Sequence, residues 1–159
     1  MNIPNPSPLA ATLLLVVSAS SQAAFDPAQF GALDINFGSQ GKQTTSFSPE
    51  NDMAHDVALQ SNGKIVLAGF ARNKALTHND FALLRYNADG QLDTTFGVGG
   101  KITTEFYPAP NAIWEVANAL AIQADGKIIA AGWTNGTPVV DNGVIVDTVN
   151  RIFALARYN

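Results

Sequence analysis

Few residues in this sequence have the types and spacing that chemistry needs. Asn87, Asp89 and Asp93 lie close together around Gly90. That spacing loosely suggests a calcium loop, which requires several oxygen ligands and a closing carboxylate. The competing reading has Asp93 accepting backbone N–H bonds in the Asn87-Ala88-Asp89-Gly90 turn, as Asx side chains do, and this structural role is the expectation. Arg85 and Arg157 each follow an apolar run and precede a tyrosine. Such an arginine can hold an anion; here pairing with a carboxylate such as Asp93 is expected. Lys64 and Lys127 are expected to be solvated. His55 and His78 are the only histidines, and two unrelated imidazoles do not make a metal centre. Asp52 and Asp56 flank a strand without the pocket an acid/base pair needs. No Gly-x-Ser-x-Gly elbow occurs. Gly97-Val98-Gly99-Gly100 lacks the Lys-Ser/Thr and helix of a phosphate loop and reads as a turn. Trp114 and Trp133 could stack on a sugar if exposed; packing is the expectation. Asn135-Gly136-Thr137 is a glycosylation triplet, followed by Pro138. No catalytic, cofactor-binding or metal-ligating residue is assigned, and the chain is read as non-enzymatic.

Composition narrows the classes further. The chain has 159 residues, 47% hydrophobic and 14% charged, with a net charge of −4, which suits a globular chain rather than a disordered one. Its basic residues are scattered, which argues against nucleic acid. With no cysteine, disulfides and thiolate chemistry are excluded. No charged side chain precedes Asp26, Leu9–Val17 is nearly all apolar, and Ser18–Ala24 is small and polar. This is the pattern of a secretory signal peptide cleaved after Ala23. The apolar run is about half of the roughly 20 residues a membrane span needs. A secreted or periplasmic address with no membrane span is therefore expected.

The elements that would position these side chains come in two copies. Leu33-Asp34-Ile35-Asn36-Phe37-Gly38 returns as Leu92-Asp93-Thr94-Thr95-Phe96-Gly97, and Phe81-Ala82-Leu83-Leu84-Arg85-Tyr86-Asn87 returns as Phe153–Asn159. The organisation is a signal peptide (1–23), a leader (24–32), a first repeat (33–91) and a second (92–159). The second copy carries insertions at Tyr107–Trp114 and Thr134–Asn150, which belong in loops. Each copy predicts four strands: Lys42–Phe47, Ala54–Gln60, Lys64–Gly69 and Phe81–Tyr86, matched by Lys101–Phe106, Ala117–Gln123, Lys127–Gly132 and Phe153–Tyr158. Asn62-Gly63 and Asp125-Gly126 predict type I′ hairpins. Val57-Ala58-Leu59, Ile65–Ala68 and Phe81–Leu84 are continuously apolar, the pattern of strands covered on both faces. Ala58/Ala121, Ala68/Ala131 and Ala82/Ala154 recur, which suits close stacking of sheets. Four-stranded antiparallel sheets stacked around an axis are propeller blades.

Each copy resembles the delta-60 repeat, a bacterial family with a β-propeller fold. The carrying residues are Leu92–Gly97, Gly100–Thr104, Gln123–Gly132 and Phe153–Asn159, with the first copy matching at Leu33-Asp34, Phe37-Gly38, Gly41-Lys42, Thr44-Thr45, Gly63–Val66, Ala68-Gly69 and Phe81–Asn87. The resemblance implies an all-β fold of two four-stranded antiparallel blades, a partial propeller. It carries no general activity.

Two blades do not close a ring, which takes roughly four to eight. Three arrangements stay open: a piece of a longer protein, a homo-oligomer that completes a propeller, and a self-contained two-sheet sandwich. The functional expectation is a binding or scaffold module for an extracellular ligand or polymer, with the loops carrying specificity. The alternatives are an enzyme with its site on the axis of a completed propeller and a structural or adhesive surface protein.

Overall fold

The structure is a computed structural model. It describes residues 31–73, 78–106, 114–135, 139–141, 144–147 and 151–159, with the backbone alone for residues 73, 139–141 and 144–147. Leu33–Asn159 forms one compact unit. The signal peptide reading, residues 107–113 and the Asn135-Gly136-Thr137 triplet beyond Asn135 lie outside the described residues.

Among the described residues every regular element is a strand. They are β1 (Asp52–Leu59), β2 (Ile65–Asn73), β3 (His78–Tyr86), β4 (Lys101–Thr104), β5 (Glu115–Ile122), β6 (Ile128–Asn135), β7 (Val139–Asp141), β8 (Val144–Asp147) and β9 (Arg151–Tyr158). β1-β2-β3-β4 form one sheet, β5-β6-β9 a second, and β7-β8 a small hairpin. All pairings are antiparallel. No described helix is long and apolar enough to cross a membrane.

The sheets depart from the expected strand assignment in two respects. Lys101–Thr104 was expected to open the second blade, yet it pairs with β3 through Phe81↔Thr104, Ala82↔Thr103, Leu83↔Ile102 and Leu84↔Lys101. The first sheet thus takes its fourth strand from the second repeat, and the described part of the second sheet has three strands rather than four. Sequence similarity fixes the period of a repeat but not the point at which one sheet ends. Lys42–Phe47, the counterpart of β4, forms no strand and lies across the outer face of the first sheet, beside Leu67, Ala82 and Leu84.

The hairpin turns also differ from expectation. Only Gly63 and Gly126 take positive φ in the two tight turns; Asn62 and Asp125 do not. Gly63 N donates to Gln60 O at 2.9 Å, and Gln60 N to Lys64 O at 2.9 Å, with the same pair of bonds between Gly126, Gln123 and Lys127. This is a type I turn closed by a glycine bulge. Asn62 Oδ1 and Asp125 Oδ1 accept from Lys64 N and Lys127 N, so each Asx side chain stabilises the right-handed conformation that a type I′ turn would deny it.

The core lies between the two sheets. Val66, Ala68, Phe81 and Leu83 of the first face Ala117, Ile128, Ala130 and Ala154 of the second, with Phe96 alongside. Ala68 and Ala154, two of the recurring small residues, are buried there with Ala130 and let the sheets approach closely, whereas Ala58 and Ala131 are only half-buried and Ala121 is exposed. β5 is the strand of the second sheet that crosses β1, β2 and β3. Polar bonds tie the same interface: Leu120 N donates to Asp56 Oδ2 at 2.6 Å, and Gln60 Nε2 to Gly126 O at 3.1 Å. β1 is not covered on both faces. Met53, Val57 and Leu59 are exposed, and its burial alternates in the manner of an edge strand.

Candidate functional site

Asp93 is the most heavily bonded of the expected chemical residues. Phe96 N donates to its carbonyl at 3.0 Å, closing the Leu-Asp-x-x-Phe-Gly turn. Its Oδ1 accepts from Thr95 N at 3.2 Å and from Thr95 Oγ1 at 2.6 Å. Its Oδ2 accepts from Lys64 Nζ and Arg85 Nε, both at 2.7 Å. The Lys64 ammonium, the Thr95 hydroxyl and the Arg85 guanidinium hold the carboxyl far below the usual carboxylate range, against an opposing effect of burial. The expected Arg85–Asp93 pair is therefore present. Two details are corrected: Lys64 is bound rather than solvated, and Asp93 caps its own turn. The Asn87–Gly90 turn is instead braced by Asp89 Oδ1, which accepts from Gln91 N. With two cations on Asp93, this loop does not have the open donor set of a calcium site. Arg85 also lies over the Phe96 ring at 4.4 Å.

The second copy lacks this arrangement. Lys127 pairs with Asp125 of its own turn, and Arg157 is exposed. At the other end Asp34, the counterpart of Asp93, is exposed and accepts from Asn36 N at 3.0 Å.

Asp52 and Asp56 do not work as a pair. Asp52 Oδ2 accepts from Phe47 N at 2.7 Å and Ser46 Oγ at 3.0 Å, and Asp56 bridges to β5. The second copy repeats the Asp52 contact with Glu115, whose oxygens accept from Phe106 N at 2.9 and 3.0 Å. Glu115 is almost wholly buried. An acid at the start of the first strand thus ties down the phenylalanine that ends the preceding segment in both copies.

The histidines are far apart in role. β1 carries a bulge between Ala54 and Asp56, and β5 one between Ala117 and Ala119. The residues left over are His55 and Asn118, which meet at 3.3 Å while His55 Nδ1 lies 3.1 Å from Ala117 O.

His78 belongs to a cluster that sequence reasoning missed. On β3, His78 and Asp80 point the same way, and Asp80 stands across from Glu105, one step past the Phe81↔Thr104 pair. His78 Nε2 lies 3.0 Å from Asp80 Oδ1 and 3.7 Å from Glu105 Oε1. One donor atom from each residue falls within 4.8 Å of the others. One nitrogen and two carboxylate oxygens are donors a divalent cation accepts, and the same residues form a compensated ion pair when the imidazole is protonated. The signal was His78-Asn79-Asp80, since alternate residues of a strand share a face; pairing with Glu105 became visible only with the β3–β4 register.

Gly97–Gly100 is a turn, with Gly97, Gly99 and Gly100 at positive φ and β4 rather than a helix following. Trp114 is exposed. Trp133 is half-buried beneath the Arg151 guanidinium, 4.2 Å from its ring.

Comparison with known proteins agrees with this architecture. A family model described as a β-propeller domain of unknown function (DUF5122) matches residues 60–96 and 123–145. The two segments begin at Gln60 and Gln123, equivalent residues that each donate N–H across their hairpin turn. No curated protein and no solved structure matches the chain. The match supports a propeller-type repeat, without the delta-60 name.

Proposed function

We propose that this chain is a secreted, non-enzymatic binding or scaffold module of the delta-60 type, whose framework is the repeated pair of sheets and whose specificity lies in the second copy's insertions. The observation that carries this reading is the β7–β8 hairpin. It arises in the Thr134–Asn150 insertion, which the first copy lacks, and among the described residues its strands pair only with each other. The polar residues of the repeats serve the framework: Asp93 gathers Lys64 and Arg85 where the two copies join, and Asp52 and Glu115, at matching places of the two copies, anchor backbone N–H groups. Loops on a rigid scaffold are where recognition concentrates.

The test is to replace residues 136–150 with a short glycine linker in the mature chain. The melting temperature is expected to change by only a few degrees, while retention on a panel of insoluble extracellular polysaccharides is lost. Collapse of the fold in the deletion variant, or turnover of such a polymer by the intact chain, would overturn the reading. The secreted address follows from the Leu9–Val17 apolar run. It is checked by N-terminal sequencing of exported protein, which is expected to begin at Ala24.

A further inference from the structure

The two sheets are equivalent, but their outer faces have different fates. Phe81 and Leu83 of the first sheet are completely buried against the second sheet. Their counterparts Phe153 and Leu155 are 102% and 67% exposed. Beside them, β9 has a vacant ladder edge among the described residues, at the position β4 fills next to β3. The opposite end of the molecule carries the complementary parts. The first sheet's other face offers Leu67, Ala82 and Leu84 in an open apolar groove, roofed on one side by Gln43, Thr44, Thr45 and Phe47. That roofing segment is the counterpart of β4.

We infer that a second copy of this chain docks head to tail in this groove, reproducing between molecules the contact that the two sheets already make within one. In this arrangement residues 42–45 of one copy become the fourth strand of the other copy's second sheet. The β3–β4 register transfers directly, giving Phe153↔Thr45, Ala154↔Thr44, Leu155↔Gln43 and Ala156↔Lys42 from the observed pairs. Phe153 then meets Phe47 as Phe81 meets Phe106, whose rings stand edge to face with centroids 4.9 Å apart.

Charge supplies an independent argument for the same docking. Within the chain, Asp93 is seated between Lys64 and Arg85. Asp34, its counterpart, is exposed at the groove end, and Lys127 and Arg157, the counterparts of Lys64 and Arg85, stand at the β9 end. Head-to-tail docking places Asp34 of one copy between Lys127 and Arg157 of the next. The apolar face, the strand edge and the charges each call for the same neighbour. Because the contact is heterologous, it closes into a ring when the rotation permits. At two sheets per chain, a ring of roughly four to eight blades takes about two to four copies.

The experiment is light scattering after size exclusion on the mature chain, beginning at Ala24, at micromolar concentration. Unmodified chain is expected as a discrete assembly of about two to four copies. Phe153→Asp with Leu155→Asp disables the tail, and Asp34→Lys with Thr44→Pro disables the head; each double variant alone is expected to be monomeric with unchanged circular dichroism. Mixed together, they are expected to form a 1:1 heterodimer, because each retains the end the other lacks. A folded monomer of the unmodified chain would overturn the inference, as would a mixture that stays monomeric. A tail variant that assembles as the unmodified chain does would equally sink it, since a symmetric contact through some other face would then be at work.

Discussion

At the residue scale, the organising group is a carboxylate whose neighbours are all donors. Asp93 receives Thr95 on one oxygen and Lys64 and Arg85 on the other. These contacts join a turn to the start of β2 and the end of β3. Removing one partner of a buried ion pair leaves the others uncompensated, at a cost of roughly 3 kcal/mol. Asp93→Asn is therefore expected to lower stability by about that amount in urea denaturation. The pH dependence follows from the direction of the shift. The folded-state pKa is depressed, so the stabilisation is present above the unfolded carboxyl's pKa, about 4. It is lost as pH falls through the folded value. The unmodified chain is expected to lose stability progressively below about pH 4, and the Asn variant to show a flatter acid limb. Parallel acid limbs would mean that other carboxylates set the profile.

At the element scale, each sheet depends on a bulge opposite a glycine. Gly69 pairs with Ala54 beside the β1 bulge, and Gly132 with Ala117 beside the β5 bulge. A Cβ at Gly69 would overlap the carbonyl oxygen of Met53, and one at Gly132 that of Val116. Both obstacles are backbone, so neither can swing aside. Gly69→Ala and Gly132→Ala are each expected to destabilise by about 3 kcal/mol or more, measured as a loss of chemical-denaturation midpoint. The bulges themselves were not legible. A run such as Ala54-His55-Asp56 gives no sign that one residue will be skipped, because the skip depends on how β1 aligns with β2. The same limit applies to His78, Asp80 and Glu105, which are neighbours only through the β3–β4 ladder.

At the scale of the whole molecule, the two sheets present unlike outer faces, a groove at one end and an exposed Phe153-Leu155 face at the other. Ordinary monomers seldom leave contiguous large apolar patches uncovered. If copies cover these faces for one another, folding is linked to association by mass action. The melting temperature is then expected to rise with chain concentration, and the Phe153→Asp, Leu155→Asp variant to melt at one temperature over the same range.

The sequence alone determined the repeat, the all-strand character and the turns at Asn62-Gly63 and Asp125-Gly126, because period, β-propensity and glycine position are local properties of the chain. It also pointed to the Arg85–Asp93 pair, since both residues sit in fixed motifs. Tertiary structure decided which strand belongs to which sheet, moving Lys101–Thr104 to the first. It decided that Lys64 joins Asp93, and that equal residues have unequal burial, Phe81 enclosed and Phe153 open. The physical reason is that strand pairing and burial depend on neighbours distant in sequence, and two copies of one motif look alike until one of them is covered.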